Sequence, residues 1–84
     1  MNYYTIEEIT DTLRDEFQNA PHAIDDMLGN AICNKKIRKF IATYRNENRS
    51  KSECREALWK IFDEFGVSMA NRVEVTDLFK GFDH

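Results

Sequence analysis

The sequence is poor in the residues that usually announce chemistry. It has two histidines, two cysteines, three glycines and one proline in 84 residues. His22 and His84 stand far apart, without the paired spacing of finger-type zinc sites. Cys33 and Cys54 lie 21 residues apart with no CxxC pair, so a metal site would need two more ligands from those histidines or from carboxylates. Two cysteines close one disulfide at most, far from the dense frameworks of small secreted domains. The glycines form no GxGxxG or GxxxxGK[ST] loop, and HExxH and the nucleophile elbow are also missing. NENRSKSE, residues 46–53, lacks the glycine and closing glutamate of a calcium loop. No stretch approaches the roughly 20 apolar residues needed to span a membrane, and MNYYTIEEIT has no basic region followed by an apolar run. The expectation is a cytoplasmic protein that is not an enzyme, carries no cofactor and has no membrane partner.

What is present is a balanced mixture, 42% hydrophobic and 32% charged, that suits a folded chain rather than a disordered one. Its length allows one domain, residues 1–84, with a modest core. The net charge of −3 conceals a segregated pattern. Residues 1–34 hold seven acids and one base, residues 35–60 nine bases and three acids, and residues 61–84 five acids and two bases.

Helical signals run along the chain. Thr5 and Glu8 form a capping box, and Ile6, Ile9, Leu13 and Phe17 follow at helical spacing, which predicts a helix over 6–19. Pro21 suits the first turn of a second helix at 21–29. The apolar stripe changes face at Gly29-Asn30, so a break is expected there, followed by a third helix over 31–46. Ser50 with Glu53 forms a second capping-box candidate, with Ser52 as a rival cap, and opens a fourth helix that Gly66 ends. Ser68 or Thr76 caps a short fifth helix ending near Gly81, for which Val75, Leu78, Phe79 and Phe82 supply the apolar face, although RVEV has a brief strand-like alternation. The fold expected is all-α, a single small bundle of four to five short helices. Its core is drawn from Ile6, Ile9, Leu13, Phe17, Ile24, Leu28, Ile37, Phe40, Ile41, Tyr44, Leu58, Ile61, Phe62 and Phe65.

CNKKIRKFIATYR and CREALWKIFDEFG place a cysteine and four large apolar residues at matching offsets. Both cysteines fall on the apolar stripe of their helix, where a free thiol behaves as a small buried hydrophobe. Trp59 lies about 100° from the centre of its stripe, between core and solvent. It either packs under a neighbouring element or anchors an interface, where tryptophan is enriched.

The leading expectation is a non-catalytic protein-binding module, an adaptor, regulator or inhibitor, with Trp59 and the acidic residues Glu8, Asp11 and Asp15 at its interface. The alternative is nucleic-acid binding through segment 35–51, with Lys35, Lys36, Arg38, Lys39, Arg45, Arg49 and Lys51 neutralising phosphates. A helix-turn-helix fits poorly, because positions that should anchor the recognition helix in the core fall on Asn30, Lys35 and Arg38. A third reading is a homo-oligomer in which acidic and basic faces of two copies meet.

Overall fold

A computed structural model describes residues 4–21, 25 and 29–82. Thr5 opens α1, Ile6–Asn19, with both halves of the capping box made: the Glu8 amide donates to the Thr5 hydroxyl at 3.1 Å and the Thr5 amide to the Glu8 carboxylate at 3.2 Å. Of the second predicted helix, at 21–29, Pro21 lies in a 3-10 turn and Asp25 and Gly29 in turns rather than in an α-helix, and the rest, with Ile24 and Leu28, falls outside the described residues. Asn30 caps α2, Ala31–Asn46, by accepting from the Cys33 amide at 2.9 Å, which gives the expected break a structural role.

The end of α2 is a Schellman motif. Arg49 N–H bonds the Tyr44 carbonyl, Asn48 N–H bonds the Arg45 carbonyl, and Asn48 takes the left-handed conformation at φ 58°. Ser50, not Ser52, caps α3, Lys51–Phe65. The expected capping box is half made, because the Glu53 carboxylate turns to Arg49 at 3.2 Å. Gly66 ends α3 at φ 68°, a conformation in which a Cβ is strained. Ser68 caps α4, Met69–Thr76, and RVEV is therefore helical. The Thr76 hydroxyl bonds back to the Val73 carbonyl instead of capping, and a 3-10 turn, Asp77–Phe79, completes the segment.

Long-range contacts fix the directions of the helices. Glu47, just past α2, accepts from the Ile6 amide at the start of α1 at 3.1 Å, so α1 and α2 are antiparallel. Arg14 forks onto Glu64 at 3.0 and 2.8 Å, and Phe17 meets Phe62 and Phe65, so α1 and α3 run the same way. α4 is fastened by Arg72, whose guanidinium donates to the Val67 carbonyl at 3.1 Å and to Asp63 at 2.7 Å and lies over the Phe62 ring. The described chain is thus an all-α bundle of four α-helices with no strand among the described residues. No helix among them is long and apolar enough to cross a membrane.

The core contains ten of the expected residues: Ile9, Leu13, Phe17, Ile37, Phe40, Ile41, Tyr44, Leu58, Ile61 and Phe62 are buried. Ile6 and Phe65 are only half-buried, because each stands at a helix end where coverage by neighbours runs out. Val67, Val75, Phe79 and Phe82 close the core from the carboxy-terminal side.

Candidate functional site

The two cysteines are buried and free. Burial pushes the thiols of Cys33 and Cys54 up to about 12, with the Glu16 carboxylate adding to the effect at Cys33. At neutral pH both remain protonated and surrounded by core side chains, an environment opposite to that of a nucleophilic or ligating thiolate. Among the described residues, no three of His, Cys, Asp and Glu are gathered where they could hold a metal ion.

Trp59 packs into the fold along one face and is otherwise half-exposed. Its ring centroid lies 5.4 Å from that of Phe62 and 6.4 Å from that of Phe79, with the Arg55 guanidinium 5.3 Å above it. It therefore bridges α3 and the carboxy-terminal segment. Its remaining surface borders a shallow hollow lined by Ser52, Arg55 and Glu56.

On α1, Glu7, Asp11 and Asp15 follow one another at four-residue spacing, with Glu8 beside them, and all four are exposed. Glu8 is committed to the capping box. Donation to the Glu64 carboxylate raises the pKa of Arg14, and the Asp11 charge adds to the effect. Neither the Asp11 nor the Asp15 carboxylate enters an ion pair among the described residues.

The basic set of segment 35–51 is divided by the fold. α2 carries Lys35, Lys36, Arg38, Lys39 and Arg45 and no acid. Lys35, Arg38 and Arg45 are exposed, whereas Lys36 and Lys39 are half-buried, so the five do not share one outward direction. None of them pairs with a carboxylate among the described residues. Their partners are neutral: Arg38 donates to the Asn34 amide oxygen at 2.6 Å, Arg45 to the Gly81 carbonyl at 3.4 Å, and the Lys39 ammonium sits 5.4 Å from the Tyr4 ring centroid. Arg49, in contrast, is neutralised by Glu53, and Lys51 stands exposed at the start of α3.

A concavity borders the second half of this basic helix. Tyr4, Thr5, Lys39, Ala42, Thr43, Asn46 and Glu47 line a groove of about 530 Å³ between the start of α1 and the second half of α2. Sequence reasoning missed it, because Tyr4 and Ala42 meet only through the antiparallel packing. The local signal was readable: Ala42 is a small residue among long cationic ones.

The fold and these surfaces define a small all-α bundle in which α1 carries five acids and one base and α2 five bases and no acid. The chain matches no protein-family model, no curated protein and no solved structure.

Proposed function

We propose that this protein is a non-catalytic protein-binding module, a small adaptor, regulator or inhibitor that presents the outer face of α1 to a basic partner surface. The observation that carries this reading is that the carboxylates of α1 and the cations of α2 lie on packed, neighbouring helices without forming an ion pair between the two sets among the described residues. The caps, the aromatic core and the Arg14–Glu64 and Arg72–Asp63 pairs hold the bundle with no ion pair from Asp11 or Asp15 among the described residues. Charges left over in this way orient and accelerate encounter with a complementary surface.

Trp59 extends the reading to α3, where the exposed part of its ring lies under Arg55. Its packing on Phe62 and Phe79 makes Trp59→Ala a variant that also weakens the fold. The cleaner probe is the double variant Asp11→Lys/Asp15→Lys. Affinity capture from host lysate after nuclease treatment is expected to retain a protein partner on the wild type and to lose it on the double variant. Equal capture by both removes α1 from the interface, and the disappearance of all partners after nuclease overturns the protein-binding reading.

A further inference from the structure

α1 and α2 lie side by side and antiparallel, fixed at one end by the Ile6 amide, which donates to the Glu47 carboxylate at 3.1 Å. With a rise of about 1.5 Å per residue in each helix, Asp11 stands level with Ala42 and Asp15 with Arg38. At about 100° per residue, Asp11 and Asp15 lie about 160° from the centre of the Ile9, Leu13 and Phe17 stripe. Arg14, on one flank of α1, reaches Glu64 of α3, while Glu16, on the other, lies beside Cys33 of α2. On α2, Lys35 lies about 175° and Arg38 about 115° from the centre of the buried stripe, and both are exposed. The two helices therefore turn an acidic and a basic stripe to solvent next to each other, matched in height and without an ion pair between them among the described residues.

Such a surface is complementary to itself. A two-fold axis parallel to the helices lays α1 of one copy on α2 of the other and repeats the contact in reverse. The rotation leaves heights along the axis unchanged. Asp15 then meets Arg38 of the second copy, with Lys35 one turn away, and Asp11 meets the short side chain of Ala42 between Lys39 and Arg45. An axis across the helices would instead set α1 on α1 and oppose like charges. We propose that α1 docks on α2 of a second copy in this two-fold arrangement. A second copy answers both stripes at once, whereas a basic partner covers α1 and leaves the cations of α2 facing water. Ile32, 59% exposed at the start of α2, adds an apolar contact. Two helices about 24 Å long with axes about 10 Å apart give roughly 1,000 Å² of buried surface in all, the lower limit of a specific interface, so the dimer is weak and salt-sensitive. The dimer covers the face of α1 that a basic partner would use; that masking, unlike the dimer itself, rests on α1 being the partner site.

Sedimentation equilibrium of the purified, nuclease-treated chain tests the arrangement. Between about 10 and about 1,000 µM the mean mass is expected to rise towards twice that of the monomer at about 20 mM salt, and to stay near one monomer at about 500 mM. Asp11→Lys/Asp15→Lys and Lys35→Glu/Arg38→Glu are each expected to weaken self-association at least about tenfold, because each sets like charges across both contacts. An equimolar mixture of the two is expected to pair again: the reversed α1 meets the reversed α2 at one contact, and the native stripes meet at the other. Lys60→Glu/Lys80→Glu, exposed positions on α3 and past the 3-10 turn, changes the net charge as much as the base reversal does. This control is expected to keep self-association and to give no rescue when mixed with the acid reversal. Circular dichroism of each variant separates lost pairing from lost helix. A monomer at the highest concentration and low salt, association indifferent to salt or to either reversal, a mixture that fails to pair, or association seen only before nuclease treatment would each overturn the proposal. Sedimentation uses no lysate partner, so failure of the dimer leaves the outcome of the capture experiment standing, and the reverse.

Discussion

At the scale of the residue, burial decides what the two thiols do. Their folded pKa of about 12 lies above the value of an exposed thiol, so the native state holds these protons more tightly than the unfolded chain does. Stability is therefore unaffected by the thiols below the unfolded pKa and is lost as pH rises from there towards the folded value. Burial raises the Tyr44 phenol in the same direction. Urea unfolding is expected to give a midpoint that falls above about pH 9, and a double Cys33→Ala/Cys54→Ala variant is expected to flatten that fall while lowering overall stability. A thiol reagent at pH 8 should react with unfolded chain and be nearly silent towards native protein. A second residue-scale prediction concerns Asn48, which holds the left-handed conformation that glycine usually occupies. Asn48→Gly is expected to raise stability by up to about 1 kcal/mol, and Asn48→Val to lower it by about 1–2 kcal/mol, as measured by denaturant midpoints.

At the scale of the element, helix boundaries were largely legible. Thr5, Ser50, Ser68 and Gly66 act where their chemistry predicts, because caps satisfy backbone groups within a few residues and need no distant partner. What capping chemistry left open was settled by a neighbour one turn away and by packing. Glu53 abandons its capping box for Arg49, and RVEV is helical because Val75 and Arg72 are drawn into the core side of α4. Arg72 itself carried no sequence signal. Its side chain is only 11% exposed, and it ties α4 to the end of α3. Arg72→Ala is expected to cost about 1–3 kcal/mol, with no full rescue by Arg72→Lys, because one ammonium cannot serve Val67 and Asp63 with the geometry of the planar fork. Asp63→Asn should cost less than about 1 kcal/mol, since that carboxylate is 70% exposed. Urea titration of the three variants checks the order.

At the scale of the whole molecule, charge is arranged against the interest of stability. Asp11 and Asp15 repel at four-residue spacing, and the last turn of α1 holds no basic residue to meet the helix dipole. Asp15→Lys is expected to stabilise the protein by about 0.5 kcal/mol, through an Asp11–Lys pair in the favourable order. A thermal shift upward in the variant that contributes to lost partner capture would mark Asp15 as a residue kept for binding at the expense of the fold. The same separation of charge bears on self-association. Pairing of α1 with α2 of a second copy would appear as a sedimentation coefficient that rises with concentration at low salt and not at high salt.

The sequence by itself determined α1 to α4, the caps at Thr5, Ser50, Ser68 and Gly66 and most of the core, because helical periodicity and capping are read over one or two turns of contiguous chain. It also established that acids and bases are segregated. Only the tertiary structure decided which of those charges remain uncompensated: Arg14 and Arg72 find carboxylates, whereas Lys39 and Arg45 of α2 find a ring and a carbonyl. Likewise the groove beside Ala42 exists because antiparallel packing brings Tyr4 to a helix about forty residues further along the chain. Pairings of that kind depend on which faces meet when the core closes, and that is fixed by packing many side chains at once rather than by any local run of residues.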